Sequence, residues 1–476
     1  MRMVVASTLL ALLAPLLTPL PAAAQTGAVA TKEYDSGAAY SGEFHDGKQH
    51  GQGTYTSPDG YEYTGEWVDG TIEGEGRAKF PDGSVYEGAF AQGVPHGRGR
   101  IVYADGGSYE GAWREGVIHG EGVAVYANGM RYEGEFKDSA HHGHGVMTRE
   151  NGYRYEGEWV EGRQHGKGTV SYPDGSVYEG DFVDGLRHGH GKITLADGFA
   201  YEGAWREGQI TGRGVATYPN GDSYEGDFVD GLRHGQGTAS YANGDVYEGA
   251  FVEGERHGQG SFTGAGGYRY EGAWVAGRIE GEGKASYANG SVYEGGFLDG
   301  KPHGSGRITY ADGSSYQGEW VEGEITGQGK AEYANGSVYE GAFRAARHHG
   351  EGRIAYKDGT VYEGAWENGV RSGRGRVEYP DGSVYEGEFA DDKRHGEGRL
   401  TLADGFTYAG GWRDGEIHGE GTATYANGDV YKGKFVDGRQ HGYGEMVYAS
   451  GAVFRGCWAE GLRGAHGESA ECPSPQ

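Results

Sequence analysis

An all-β array of consecutive hairpins is the fold this sequence predicts, and three observations predict it. A tyrosine recurs every 23 residues, from Tyr40, Tyr63 and Tyr86 to Tyr431, and Phe454 takes the next place, giving 19 units without an insertion or deletion. Glycine, 98 of 476 residues, stands at fixed places in each unit. Between the glycines, apolar and polar residues alternate with the two-residue period of a strand. A fixed period of this size marks a repeat architecture, in which each unit leans on its neighbours and length does not count domains.

Each element of the unit follows from its residues, numbered with the tyrosine as position 0. Tyr, Gly and Phe or Trp at 0, 2 and 4 share one face of a first strand, as in Tyr86, Gly88 and Phe90. Gly, an apolar residue and an aromatic at 13, 15 and 17 share one face of a second, as in Gly99, Ile101 and Tyr103. Asp-Gly or Asn-Gly at 19 and 20, such as Asp105-Gly106, supplies the positive φ that a tight turn needs. No helical period survives these glycines.

The stretch Tyr178-Glu179-Gly180-Asp181-Phe182-Val183-Asp184-Gly185-Leu186-Arg187-His188-Gly189-His190-Gly191 resembles the MORN repeat motif, and its counterparts cover nearly all of residues 31–467. The resemblance implies one elongated, twisted, single-layer antiparallel sheet of consecutive hairpins. It also implies a scaffold or tether, with membrane association or phospholipid binding among the family's roles. At a strand spacing of about 4.8 Å, two strands per unit predict a rod of about 180 Å.

Two longer periods divide the array. Position 4 alternates between Phe and Trp, and position 15 changes size with it, which predicts that 4 and 15 touch in one packed layer. Residues 40–246 also align with 247–453, an offset of nine units, so that His141-His142 recurs as His348-His349. The expected organisation is a signal peptide over 1–24, a half-repeat cap over 25–39, nine-unit blocks over 40–246 and 247–453, and a partial repeat with a tail over 454–476. The doubled Phe228 and Phe251 mark the junction, expected to be the softest stretch, near 224–270.

Arg2, an apolar run from Val4 to Leu17 and Ala22-Ala23-Ala24 read as a secretory signal cleaved between Ala24 and Gln25, placing the mature chain in a periplasm or outside the cell. In such a compartment Cys457 and Cys472, the only cysteines, are expected to pair and clamp the last unit. The formal net charge of −28 excludes a sequence-blind nucleic-acid binder and opposes adhesion to anionic lipid.

Catalysis needs a unique constellation, and here nearly every residue has a counterpart in each unit, so no enzyme and no cofactor are expected. Histidine fills position 10 in 13 units, but strand spacing sets successive ones roughly 10–20 Å apart, too far to share a metal. His141, His142 and His144 are the one local candidate trio, against the plain reading of loop residues bonding the backbone. What remains is a surface. Trp67, Trp113, Trp159, Trp205, Trp274, Trp320, Trp366 and Trp412 are candidate binding residues on an extended aromatic face, with rings covering one another as the alternative. The function expected is a non-catalytic exported scaffold or protein-interaction module for a protein or extended polymer, with self-association also open. The alternative is a peripheral phospholipid-binding tether, for which Arg and Lys at position 14 form the basic stripe. The duplication predicts two equivalent docking places.

Overall fold

Thirty-nine β-strands and no helix make up the described part of the computed structural model, which covers residues 29–466 and Cys472. Ala24 and Gln25, the expected cleavage site, and the rest of residues 1–28 lie outside the described residues. The described residues fall into two units, one up to residue 198 with 204–209, the other residues 199–203 and from 210 onward. Within each, successive strands pair antiparallel in an open sheet. In the first unit β1 (Val29–Glu33) pairs with β2 (Ala39–His45), β2 forms a hairpin with β3 (Lys48–Thr56), and β3 pairs with β4 (Glu62–Val68) of the next repeat. In the second, pairing runs without a break across residue 246, with Gly235 opposite Phe251 and Tyr247 opposite Phe262.

The hairpin turn lies at positions 6 and 7. Asp46 and Gly47 both have positive φ, 49° and 76°, as a two-residue type I′ turn requires. The residues at 19 and 20 shape a second, wider turn between repeats, where Gly60 N donates to Ser57 O and Ser57 N to Tyr61 O. The second strand is therefore longer than the alternation suggested. It starts at position 8, and position 17 lies just past its end. A bulge lets it fit: Gly42 faces Gly53 and Phe44 faces Gln49, which leaves Glu43 opposite three residues.

Positions 4 and 15, expected to touch, do not stand opposite each other within a repeat. Position 15 stands opposite the tyrosine, as in Tyr86↔Ile101 and Tyr109↔Ala124, while the ring at 4 stands opposite position 9. Where 15 is itself aromatic it reaches the Trp of the following repeat, Tyr55 to Trp67 at 6.3 Å between centroids.

The tyrosines are the core. All eighteen are at most 2% exposed. They lie over the Gly pair at 2 and 13, and their hydroxyls donate to a nearby carbonyl, in most repeats that of position 3, as Tyr86 does to Ala89 at 2.9 Å. This explains the glycine at 13, whose backbone is ordinary extended strand. A Cβ on Gly99 would stand 2.1 Å from the Tyr86 hydroxyl, so the ring needs the space that only glycine leaves. Burial also raises the phenol pKa, to about 12 at Tyr109, which keeps the hydroxyl a donor. Each tyrosine meets two rings edge-on, Tyr86 with its own Phe90 at 5.0 Å and with Trp113 of the next repeat at 5.2 Å.

Candidate functional site

The aromatic ladder is roofed by position 9. Six arginines stand there, and each lies over a ring, such as Arg187 at 4.3 Å from the Trp205 centroid and Arg371 at 5.3 Å from that of Phe389. Histidine at position 9 stacks instead. His141 lies 3.7 Å from the Tyr132 ring at 13°, and His348 lies 3.6 Å from Tyr339 at 9°. Burial lowers both imidazole pKa values to about 4, so both are neutral near pH 7.

The roof is tied by the tyrosine at position 17 of the preceding repeat. In several repeats its hydroxyl bonds the polar end of residue 9: Tyr34 with Gln49 at 2.8 Å, Tyr126 with His141 at 2.7 Å, Tyr379 with Arg394 at 3.1 Å, Tyr425 with Gln440 at 2.9 Å; Arg187 and Arg233 instead donate to Gly208 O and Gly254 O. Where Arg149 displaces the usual aromatic, Tyr153 supplies the hydroxyl to Gln164 at 2.9 Å.

At Pro95 and Ile118 this tie is absent, because neither side chain offers a polar group. The preceding residues, Phe80 and Tyr103, cannot be bridged to them. The roof opens there into an apolar groove of about 680 Å³, lined by Phe80, Pro95, Tyr103, Trp113, Ile118 and Tyr126. Tyr103 is 37% exposed at its edge. In the second unit Pro302, Tyr310 and Ile325 repeat Pro95, Tyr103 and Ile118, with Tyr287 in place of Phe80, and Tyr310 is again 37% exposed.

The tryptophans do not form an open face. Trp67, Trp113, Trp159, Trp205, Trp274, Trp320, Trp366 and Trp412 are only 3–7% exposed, beneath the position-9 row. Their indoles donate inward, as Trp113 does to Gly99 O at 3.2 Å and Trp159 to Gly145 O at 3.3 Å. The expectation of a binding face is corrected on this point: the rings pack on tyrosine, and the groove residues beside them are what solvent meets. His141, His142 and His144 do not come together either. His141 is buried against Tyr132 and bonded to Tyr126, whereas His144 is exposed, two places past His142. Cys457 and Cys472 are bonded, with Cα atoms 5.5 Å apart.

On the opposite face, the cations at position 14 stand opposite the acids at position 1 of the next repeat. Arg77 pairs with Glu87 at 3.0 Å, Lys284 with Glu294 at 2.6 Å and Arg376 with Glu386 at 3.1 Å. The basic stripe is thereby interleaved with carboxylates.

The MORN repeat family model matches eighteen consecutive segments, from residues 40–60 and 63–85 through to 408–430 and 431–453. A search of the curated proteins gives no match. Among solved structures, the TCP domain of SAS-4 from Drosophila Melanogaster, in complex with a proline-rich motif of Ana2, is 16% identical. That likeness covers 41% of this chain and 86% of the other, with a TM-score of 0.17. The TCP10 domain of CPAP from Danio rerio, with a peptide of STIL, is 12% identical over 71% of this chain and 98% of the other, with a TM-score of 0.11. At these scores neither likeness bears on what this chain binds.

Proposed function

Because the chain belongs to the MORN repeat family, we propose that it is an exported, non-catalytic interaction module that holds an extended polypeptide segment on its aromatic-ladder face. The groove at Pro95, Tyr103 and Ile118 carries this reading. It combines an apolar floor with an exposed phenol edge and with one carboxylate, Asp105, on its lining. Such a surface suits apolar side chains of an extended chain whose backbone bonds the phenol. A segment bearing Lys or Arg beside its apolar residues also complements the net charge of −28. The repeat of the same residues at Tyr310 and Ile325 supports two docking places per chain. Export is supported by the composition of residues 1–24 and by the Cys457–Cys472 bond, which suits an oxidising compartment.

The array itself supplies the variant that tests this. Arginine at position 9 closes the roof elsewhere, so Ile118→Arg should close the groove, and Ile325→Arg should block its counterpart place in the second unit, while preserving the fold. A displayed library of random peptides, panned on the wild-type chain and counter-selected on the double variant, should enrich apolar, basic segments that need the open groove. Failure to enrich any segment that distinguishes the two proteins would remove the proposal.

A further inference from the structure

A second site lies in the first repeat, apart from the groove. His45, His50 and Asp69 can each bring one ligand atom to within 4.8 Å of the other two, the one such group of three among the described residues. The rings of His45 and His50 are 5.2 Å apart between centroids, and His50 Nδ1 is 3.6 Å from Asp69 Oδ1.

The uniqueness of this group separates it from the ordinary repeat. A histidine at position 10 beside the position-6 residue of the next repeat is a general feature. His96 Nδ1 accepts from Glu115 N at 3.4 Å, His303 Nδ1 from Glu322 N at 3.5 Å, and His418 Nδ1 lies 3.4 Å from Asp437 Oδ1. These pairs offer at most two ligands. At His418 the acid also faces a cation, Arg413 at 3.4 Å. Only the first repeat adds a third ligand, because His45 is the one histidine at position 5. Valine is the commonest residue there, as at Val68 and Val160.

We propose that His45, His50 and Asp69 bind a divalent transition-metal ion of the zinc class. Two imidazoles and one carboxylate are the donor set such ions favour over magnesium or calcium. Ligand distances of about 2.0–2.2 Å place the donors of a tetrahedral ion roughly 3.3 Å apart. The three side chains must therefore draw together by about 1.5 Å. They are free to do so, with His45 63%, His50 41% and Asp69 65% exposed. His50 must release the Asp69 backbone N–H, a long bond of 3.4 Å that costs little to replace. The protein supplies three ligands, and water or a group from outside the chain completes the shell. The ion would link the β2–β3 turn to the turn of the second repeat (Asp69-Gly70), fastening the start of the array as the disulfide fastens its end.

The test uses the tag-free full chain and Zn²⁺ alone, followed by calorimetry, with Co²⁺ as a spectroscopic probe. His45→Val installs the array's own residue, and Asp69→Asn keeps a side chain that tolerates the positive φ of 50° at this position. The wild type should take up one Zn²⁺ at a site that either variant weakens by tenfold or more. It should also give a Co²⁺ visible spectrum that His45→Val abolishes, with metal-free thermal unfolding unchanged. Unaltered isotherms in both variants, or no stoichiometric uptake by the wild type, would overturn the proposal.

Discussion

Tyr132 and His141 lie face to face, 3.7 Å apart and 13° from parallel, and 207 residues later Tyr339 and His348 repeat the contact at 3.6 Å and 9°. The imidazole is neutral in this place because burial opposes its charge, and at His348 the nearby Asp392 offsets only part of that effect. The neutral ring also keeps the bond to Tyr126 or Tyr333, so one side chain both roofs the core tyrosine and ties the repeat before it.

A pH dependence follows, with a definite sign. Both folded pKa values, about 4, lie below the usual 6.5, so the unfolded chain takes up protons first as pH falls. The stability contributed by these sites is full above pH 6.5 and is lost between pH 6.5 and 4. His141→Gln with His348→Gln removes the titration and retains the tie, since Gln49 makes the same bond to Tyr34 at 2.8 Å. Urea unfolding of the wild type should lose roughly 3–5 kcal/mol more than the double variant between pH 7.5 and 4.5. Equal losses would show that the rings are solvated enough to titrate normally.

Gly99→Ala should be among the most damaging single substitutions of a glycine. The added Cβ would lie 2.1 Å from the Tyr86 hydroxyl and 2.4 Å from Cζ, and the ring is packed edge-on with Phe90 and Trp113. A loss of roughly 3 kcal/mol is expected. Hydrogen exchange should locate it in the strands around residues 85–125, since repeat units communicate through nearest neighbours. A loss within a few tenths of a kcal/mol would mean that the tyrosine moves aside readily.

Ala346→Gly should stabilise the chain. Ala345 and Ala346 hold φ of 48° and 58° in a turn where most repeats place glycine second. Relief of the left-handed conformation is worth about 1 kcal/mol. Thermal unfolding of the variant should shift upward, and an unchanged or lower midpoint would contradict the turn assignment.

The 23-residue beat, the hairpins and the buried tyrosines were legible because each leaves a residue that only one environment tolerates: Gly99 under a ring, Asp105-Gly106 at a turn. The tight turn at positions 6 and 7 was harder to read. Asp, Glu, Gln, Asn and Ala all occupy position 6 at positive φ, and the signal rests on the glycine that follows. Position 9 was missed for a related reason. Its Ile, Arg, His, Gln and Pro share no polarity, only their place opposite the ring at position 4. The clue was its partnership with position 17 of the preceding repeat, Gln49 with Tyr34 and His141 with Tyr126, which links residues 15 apart in different repeats. Missing that roof made the tryptophans look exposed. His45 carries no periodic signal, since it is the one histidine at position 5, and only the fold brings it beside His50 and Asp69.

The groove is the centre of the account, and titration of a selected peptide into the wild-type chain and into the Ile118→Arg, Ile325→Arg variant tests it most directly. Arginine at these places should lie over the ring beneath and reach the hydroxyls of Tyr103 and Tyr310, as Arg394 reaches Tyr379 at 3.1 Å. The account predicts two peptides bound per wild-type chain and at least tenfold weaker binding to the variant, with thermal unfolding unchanged. Equal affinity for the two proteins would contradict it.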